Sequence, residues 1–311
     1  MMGLLDWLGD RRKPAVPDAL WAKTVGALPF LSALAVDEQK ELKTLVEGFL
    51  AEKEFSAVGG LELGDEICVS FAAQGCLPIL RLGLAAYRGW VGIVVYPDEF
   101  VVARRIEDES GVVHEFDDVL SGEAWEGGPL IISWHDAQMA GAGYNVVIHE
   151  FAHKLDMLNG EADGMPALHS GITPEAWDQA FIPAYEDFCR RVDSGEETAI
   201  DPYASDDPAE FFAVLSENFF ELPDLVNREY PALYALLRYV DGNRRQWLLL
   251  AALNLGFALA SKHLALFALA LFCPGLLLAL WRRGAGWRQA FLAAVMLGCL
   301  SLLLALPWYL R

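Results

Sequence analysis

The chain has 311 residues, a formal net charge of −20 and a mean hydropathy of +0.28, and the charge is distributed very unevenly along it. From Arg244 onward there are seven Lys or Arg residues and no Asp or Glu, which leaves 16 basic and 43 acidic residues before that point. Such an acidic region lacks the lysine and arginine surface that binds nucleic-acid phosphates. The composition therefore predicts no direct nucleic-acid partner.

The cysteines and the first residues bear on the cellular compartment. Five widely spaced cysteines contain no CxxC pair: Cys68, Cys76, Cys189, Cys273 and Cys299. Their number and spacing fit neither a disulfide framework nor a cysteine-zinc site. The first residues, MMGLLDWLGDRRKP, place basic charges after a short apolar stretch that Asp6 interrupts, the reverse of a secretory signal. Both patterns predict a cytoplasmic location for the acidic region.

The elements predicted in chain order begin after a linker at residues 11–18. Helical spacing of apolar residues predicts helices at residues 19–34, 36–55, 175–192 and 208–221. Residues rich in β-branched and aromatic side chains predict two short strands about a turn within Trp90–Ala103 and another strand at Pro129–Asp136. Strands gathered early and helices gathered later predict an α+β fold.

The composition and these elements predict three segments. Residues 1–17 form an N-terminal segment and linker, residues 18–243 form the folded domain, and residues 244–311 form an apolar tail. A glycine-bearing turn at Gly141–Asn145 leads into the stretch that carries the most informative motif.

That stretch is VIHEFAHKLD, residues 147–156, and it contains an HExxH motif. Positions four apart lie on one face of a helix, so His149 and His153 can present imidazole nitrogens to a single metal ion. Glu150 then lies close enough to act on a water molecule as a general base. One Zn²⁺ ion per chain suits this pattern, because catalytic zinc sites use three protein ligands and leave the fourth position to water. The alternative is a helix whose two core histidines have ordinary hydrogen-bond partners.

A two-histidine site needs a third ligand. The metzincin layout would place a third histidine at position 159, which is Asn. The later stretch DPYASDDPAEFFAVLSENFFE offers Glu210 and, two turns further along the same helix face, Glu217. Glu210 also has a structural explanation, because Asp207-Pro208-Ala209-Glu210 has the form of a capping box. Spacing alone leaves the choice between the two glutamates open.

Four stretches of this sequence resemble the Mlc titration factor A family of zinc metallopeptidases. They are HEFAHKLDMLNG and DPYASDDPAEFFAVLSENFFE, with AEKEFSAVGGLELGDEICVSFAAQGCLPIL and VVYPDEFVV upstream. The resemblance extends from Asp18 to Val240. It implies a gluzincin-type fold, in which a helix carrying HExxH packs against a later helix that carries the ligand carboxylate.

The resemblance also assigns roles to residues. It implies that His149, His153 and Glu210 are the metal ligands, that Glu150 is the catalytic glutamate, and that Tyr203 takes part in catalysis. The implied function is zinc-dependent, aminopeptidase-like hydrolysis of a peptide or protein substrate by a zinc-activated water. The alternative is a regulatory binding protein that sequesters an Mlc-type transcriptional repressor, with peptidase activity secondary.

Three further residues are candidates near the site. Asp156 follows His153 by three residues and could orient a ligand histidine through its distal N–H; the alternative is a solvated helix carboxylate. Trp134 and His135, on the predicted strand at Pro129–Asp136, could line a cleft where a substrate backbone adds to a sheet edge. The alternative for these two residues is ordinary packing.

The tail contains two long apolar runs, Leu264–Trp281 and Trp287–Tyr309, each long enough to cross a bilayer core about 30 Å thick. The link RRGAGWR between them favours the cytoplasmic side, in which case the shorter run Trp247–Ala260 must also cross or re-enter. The sequence is compatible with either two or three membrane segments. The sequence thus predicts a cytoplasmic catalytic domain attached to the inner membrane through residues 247–310.

Overall fold

The computed structural model describes residues 15–107, 111, 113–168 and 172–242, without the side chains of residues 106–107 and 239–242. The chain divides into two units, Met1–Leu248 and Leu249–Arg311, and every described residue belongs to the first. Within the described residues, no helix is long and apolar enough to cross a membrane. The tail at residues 244–311, with its membrane segments, lies outside the described residues and stays a prediction.

The helices agree with the predicted ones in most of their bounds. Across the described ranges they are Asp18–Ala27, Pro29–Ser32, Val36–Glu52, Asp65–Cys76, Trp134–Ala137, Val146–Asp156, Pro174–Asp193, Pro208–Glu221, Pro223–Glu229 and Pro231–Gly242. The helix predicted at residues 19–34 is broken at Leu28, which is extended because the following Pro29 disfavours a helical conformation before it. The helix predicted at residues 36–55 ends at Glu52, and the chain then enters a strand.

The strands form one mixed sheet and one separate hairpin. They are β1 (Glu54–Ala57), β2 (Gly92–Tyr96), β3 (Phe100–Glu107), β4 (Val113–Leu120), β5 (Gly122–Ala124) and β6 (Leu130–Ser133). The sheet has the order β1-β2-β6-β5, in which β1, β2 and β6 are parallel and β5 pairs antiparallel with β6. β3 and β4 pair with each other as an antiparallel hairpin. The two strands predicted within Trp90–Ala103 are therefore present, but they belong to different sheets.

The strand predicted at Pro129–Asp136 is shorter than expected. It ends at Ser133, whose hydroxyl accepts a hydrogen bond from the Asp136 backbone N–H at 3.2 Å and so caps the short helix Trp134–Ala137. A serine side chain that satisfies a helix N–H competes with continuation of the strand. Trp134 and His135 consequently lie on a helix and not on the strand.

The core lies between the sheet and the helices Val36–Glu52, Asp65–Cys76 and Val146–Asp156. Four rings meet at its centre with centroids 5.1 to 6.3 Å apart: Phe49, Tyr87, Trp90 and Phe151. Gly75 allows the helix Asp65–Cys76 to approach closely, because a Cβ there would overlap the ring of Phe151. The α+β prediction is confirmed, and the apolar face of the helix Val146–Asp156 is anchored in this core.

Candidate metal centre

Two helices carry the predicted site, and each begins at a side-chain cap. The motif helix, Val146–Asp156, starts after Asn145, whose Oδ1 accepts the Ile148 backbone N–H at 2.9 Å. The ligand helix, Pro208–Glu221, starts after Asp207, whose Oδ1 accepts the Glu210 backbone N–H at 2.9 Å. These caps satisfy N–H groups that have no partner within the helix. The two helices pack against each other and bring their polar residues together.

Three side chains converge where the two helices meet. His149 Nε2 lies 3.1 Å from His153 Nε2 and 2.9 Å from Glu210 Oε2, and His153 Nε2 lies 3.5 Å from Glu210 Oε1. The ligand atoms of all three residues lie within 4.8 Å of one another. Of the two glutamates that spacing left open, Glu210 is the one whose carboxylate lies beside the Nε2 atoms of both histidines.

This donor set fits a tetrahedral divalent metal such as zinc. Two nitrogens bound to zinc at about 2.0–2.1 Å in tetrahedral geometry are roughly 3.3 Å apart, close to the observed separation of the two Nε2 atoms. Glu210 Oε2 is buried and makes no hydrogen bond of acceptable geometry, although it lies near His149. Buried polar atoms without partners are rare and indicate a missing ligand. Two imidazoles and one carboxylate are the set that catalytic zinc sites use.

Glu217 contacts the opposite side of the His149 ring. Its Oε1 lies 2.8 Å from His149 Nδ1, and its Oε2 accepts the backbone N–H of Asn145. Because a carboxylate oxygen accepts, His149 Nδ1 donates the hydrogen in this contact, and Nε2 is the nitrogen that faces His153 and Glu210. Glu217 is therefore the carboxylate that orients a ligand histidine, a role that the sequence interpretation had offered to Asp156.

Further polar residues hold Glu217 and Asn145 in place. Asn145 Nδ2 donates to Gln74 Oε1 at 2.9 Å and to Glu221 Oε1 at 2.7 Å. The Glu221 carboxylate also accepts the backbone N–H groups of Gly141 and Gly143 at 2.7 to 2.9 Å. We call Gln74, Asn145, Glu217 and Glu221 the support cluster. Sequence reasoning missed it as a unit, although Asn145 at the helix cap and Glu217 on the ligand face were visible signals.

Glu150 lies beside the three converging side chains. It is 5% exposed, and its Oε2 has no hydrogen-bond partner. Burial raises the pKa of Glu150 to about 7, although the positive charge of His149 and His153 acts in the opposite direction. Gly122 of β5 makes room for this carboxylate, because a Cβ at that position would overlap it. A carboxyl group with a pKa near neutrality suits general acid–base chemistry.

Two of the converging side chains have pKa values that are shifted in opposite directions. Burial lowers the pKa of His149, but the neighbouring carboxylates of Glu210 and Glu217 outweigh this and raise it well above its ordinary value. Burial raises the pKa of Glu210, but the two histidines outweigh this and hold it well below its ordinary value. Each of these two groups is stabilised in its charged form by its neighbours. The carboxylates therefore make this position attractive to positive charge.

Tyr203 lies at the mouth of the same site, on the short 3-10 turn Pro202–Ser205. Its ring centroid is 6.1 Å from that of His149, and the residue is 48% exposed. Partial burial and then the Glu210 carboxylate raise the pKa of Tyr203. The hydroxyl group is therefore protonated at neutral pH and is able to donate a hydrogen bond.

A cleft opens on both sides of Glu150. One part has a volume of about 430 Å³ and is lined by Leu120, Tyr144, Asp201 and Asp206. The other has a volume of about 310 Å³ and is lined by Arg104, Glu123, Met157 and Ala162. His149, Glu150, Gly122 and Tyr203 line both parts. The candidate site can thus contact an extended ligand on either side of the histidines.

Asp156 does not orient a histidine in this structure. It is fully buried, and its Oδ2 accepts the backbone N–H of Gly164 at 2.8 Å, while its Oδ1 has no hydrogen-bond partner. Burial raises its pKa to about 6, and the Gly164 hydrogen bond acts against this shift. The alternative of a solvated helix carboxylate is also wrong. Asp156 instead fixes the loop that follows the motif helix.

Trp134 and His135 do not line the cleft of Glu150. The Trp134 ring packs 5.6 Å from that of Phe71, and His135 is exposed on the short helix after β6. The physical reason lies in the sheet order: β6 is paired on one side with β2 and on the other with β5, so it has no free edge for a substrate. The strand beside Glu150 is β5, which carries Gly122.

Comparison with known proteins agrees with this geometry. Residues 6–240 match the family described as Glucose-regulated metallo-peptidase M90. Mlc titration factor A of Salmonella arizonae is 41% identical over 234 residues, which cover 74% of this chain and 88% of that protein. Proteins of the same name from Enterobacter sp. (39% over 225 residues; 70% and 84%) and Cronobacter sakazakii (40% over 213 residues; 67% and 80%) are also similar. The resemblance read from the sequence is confirmed, and the chain belongs to the glucose-regulated metallo-peptidase M90 family.

Proposed function

We propose that this chain is a zinc-dependent, gluzincin-type peptidase with aminopeptidase-like specificity, in which Glu150 is the general base. The observation that carries the proposal is the convergence of His149, His153 and Glu210 within 4.8 Å of one another, directly beside Glu150 in an open cleft. Membership of a metallo-peptidase family supports the reaction class.

The ligands of the zinc ion would be His149, His153 and Glu210. When bound there, zinc supplies Lewis-acid chemistry, which polarises a peptide carbonyl and lowers the pKa of water. Glu217 holds the His149 ring so that Nε2 faces the metal position, through its contact with Nδ1 at 2.8 Å. The support cluster thereby fixes a ligand before any metal arrives.

Glu150 performs the proton transfers. Its unpartnered Oε2 takes the proton of the attacking water, and the protonated carboxyl then delivers it to the leaving amine. Burial within the cleft keeps bulk water from competing for this oxygen. Tyr203, at the cleft mouth, donates a hydrogen bond to the carbonyl oxygen of the substrate as negative charge develops there.

The form of the cleft suits an extended peptide. Among the strands of the described residues, β5 pairs with β6 alone, which leaves its other edge available for hydrogen bonds to a substrate backbone. Gly122 on this strand lies against Glu150, so a peptide added along β5 passes the general base. Short peptides and unfolded chain ends are the substrates that can adopt this conformation.

The proposal is tested by replacing Glu150 in the full chain. Glu150→Gln keeps the shape of the side chain but removes the base, so kcat on short peptides falls by about 10²- to 10⁴-fold. Zinc content, measured by elemental analysis, stays at the wild-type level because Glu150 is not a ligand. The matched control is Glu161→Gln, at an exposed position. Wild-type activity in the Glu150→Gln protein would overturn the mechanism.

A second proposed function is regulatory binding. The similar proteins carry the name Mlc titration factor A, and we infer that this chain also binds an Mlc-type repressor. The excess of acidic over basic residues before Arg244 supports this, since repressors that bind DNA present basic surfaces. Purified repressor should bind the full chain equally with and without a zinc chelator, and less tightly in high salt. Absence of binding at low salt would contradict it.

The cytoplasmic location and the membrane tail are proposals that rest on the sequence. The apolar runs within residues 247–310 support attachment to the inner membrane. Cell fractionation tests it: the full chain should sediment with membranes and resist extraction by alkaline carbonate. Release into the soluble fraction by carbonate would contradict membrane insertion.

A further inference from the structure

The proposed function gives no role to Glu123, a half-buried carboxylate in the cleft. Glu123 lies at the middle of β5, next to Gly122, and its side chain is 13% exposed. Its Oε1 is 2.7 Å from Arg104 Nη2, whereas its Oε2 is buried and has no hydrogen-bond partner. A buried carboxylate oxygen without a partner is costly, so the structure indicates a missing donor at this point.

Arg104 holds this carboxylate in a fixed position. The guanidinium of Arg104, on β3, contacts both Glu123 and Asp118 Oδ2, the latter at 3.4 Å. Its single positive charge is thus shared between two carboxylates. Glu123 is anchored through one oxygen, and its second oxygen has no donor.

Glu123 lies close to the reacting position. It lines the part of the cleft with a volume of about 310 Å³, together with His149, Glu150 and Glu210. The neighbouring Gly122 lies against the Glu150 carboxylate. Successive side chains on a strand point to opposite faces, so Glu123 does not share the direction of Gly122. It nevertheless lines the same part of the cleft as Glu150, and a group bound by Glu123 would lie in that part.

The charges around this part of the cleft favour a cation. Among the described residues that line it, Arg104 is the one Lys or Arg side chain, while five are acidic: Asp118, Glu123, Glu150, Asp207 and Glu210. A substrate ammonium group would donate to Glu123 Oε2 and compensate this charge. The α-amine of a peptide is next to its first peptide bond, which fits a site in which Glu123 and Glu150 line the same part of the cleft. The ammonium of a lysine side chain lies several bonds further from its backbone.

We propose that Glu123 binds the α-ammonium group of the peptide substrate and so makes the site selective for free N-termini. The inference rests on the proposed peptidase function and identifies the residue that would give it aminopeptidase specificity. A peptide with an acylated N-terminus lacks the positive charge and leaves Glu123 Oε2 without a partner, so it binds less tightly.

The test measures binding and not turnover. Calorimetry on the full, zinc-loaded chain carrying Glu150→Gln uses three probes: leucinamide, N-acetyl-leucinamide and N-acetyl-lysinamide. Adding Glu123→Gln should weaken leucinamide binding by about 10- to 100-fold, the usual range for a hydrogen bond between charged groups. Binding of N-acetyl-leucinamide should not change. The matched control is Glu126→Gln, an exposed position on the same β5–β6 connection, which should leave all three affinities unchanged.

Different results would overturn the inference in different ways. Equal leucinamide affinity with and without Glu123→Gln is the simplest contradiction, since the charge would then have no effect. If Glu123→Gln weakened the binding of leucinamide and N-acetyl-leucinamide equally, Glu123 would maintain the shape of the cleft and would not bind the α-ammonium group. If Glu123→Gln weakened the binding of N-acetyl-lysinamide alone, Glu123 would bind the ammonium group of a lysine side chain instead. The proposed peptidase function fails by a separate result, hydrolysis that persists in the Glu150→Gln chain.

Discussion

Two polar clusters meet at His149 and differ in how their buried atoms are satisfied. In the support cluster, Glu217 and Glu221 accept backbone N–H groups, and Asn145 donates to two acceptors. On the other side of the same imidazole, Glu150 Oε2 and Glu210 Oε2 are buried without hydrogen-bond partners. One cluster is completed by the chain itself, and the other needs atoms from outside it. The difference separates the residues that position the site from the residues that we propose to bind a metal or a substrate.

The largest effect is expected from breaking the support cluster at its centre. Asn145→Ala removes the motif-helix cap, leaves Gln74 Oε1 without its donor, and removes one of the donors to Glu221. Loss of a cap together with unsatisfied polar groups should lower the free energy of unfolding by about 3 kcal/mol. Denaturant unfolding followed by circular dichroism measures this. A loss below about 0.5 kcal/mol would show that the cluster contributes little to stability.

A smaller effect is expected where the two clusters meet. Glu217→Gln weakens the acceptor for His149 Nδ1, so the affinity for zinc should fall by about 10- to 100-fold, as it does when such supporting carboxylates are replaced. Competition with a chromophoric chelator measures the affinity. The matched control is Glu221→Gln, which changes the same cluster without touching His149 and should affect affinity less. Equal losses in both variants would contradict the specific role of Glu217.

The smallest effect concerns a buried, hydrogen-bonded charge that does not line the cleft. Lys53 donates to the backbone oxygens of Tyr87 and Trp90, and burial lowers its pKa to about 8, although nearby Glu52 and Cys76 act against this. Between pH 8 and 10.5 the unfolded state binds this proton and the folded state does not, so Lys53 makes stability rise with pH in that window.

Lys53→Met should therefore reduce the rise in stability between about pH 8 and pH 10.5 by on the order of 1 kcal/mol relative to wild type. Comparing the two proteins isolates the contribution of Lys53 from those of other groups that titrate at alkaline pH. Parallel stability curves for the two proteins would show that Lys53 keeps its ordinary pKa. Activity at neutral pH should be unchanged, because Lys53 does not line the cleft.

The sequence predicted those parts of the molecule that depend on local patterns. The helix predicted at residues 208–221 has the observed bounds, because Asp207 and Pro208 are strong start signals. Helix periodicity also placed His149 and His153 on one face. The capping interpretation of Glu210 was half correct: Asp207 accepts its backbone N–H, but its own carboxylate lies beside the histidines.

What depends on distant parts of the chain was not predictable from local patterns. β5 has three residues, and its importance comes from pairing with β6 and from contact with Glu150. Glu210 and Glu217 share one helix face, and only the packing of the two helices determines that they contact opposite sides of the His149 ring. Trp134 and His135 were placed wrongly because Ser133 ends the strand before them.

The metal centre is tested most simply by the zinc content of the purified full chain, measured by elemental analysis for wild type, Glu210→Ala and Glu217→Ala. We expect near one zinc ion per wild-type chain and loss of the ion in Glu210→Ala. The Glu217→Ala protein should retain its zinc ion when zinc and protein are present at equal concentrations. Wild-type protein without zinc after supplementation, or Glu210→Ala protein with a full complement, would contradict the metal centre.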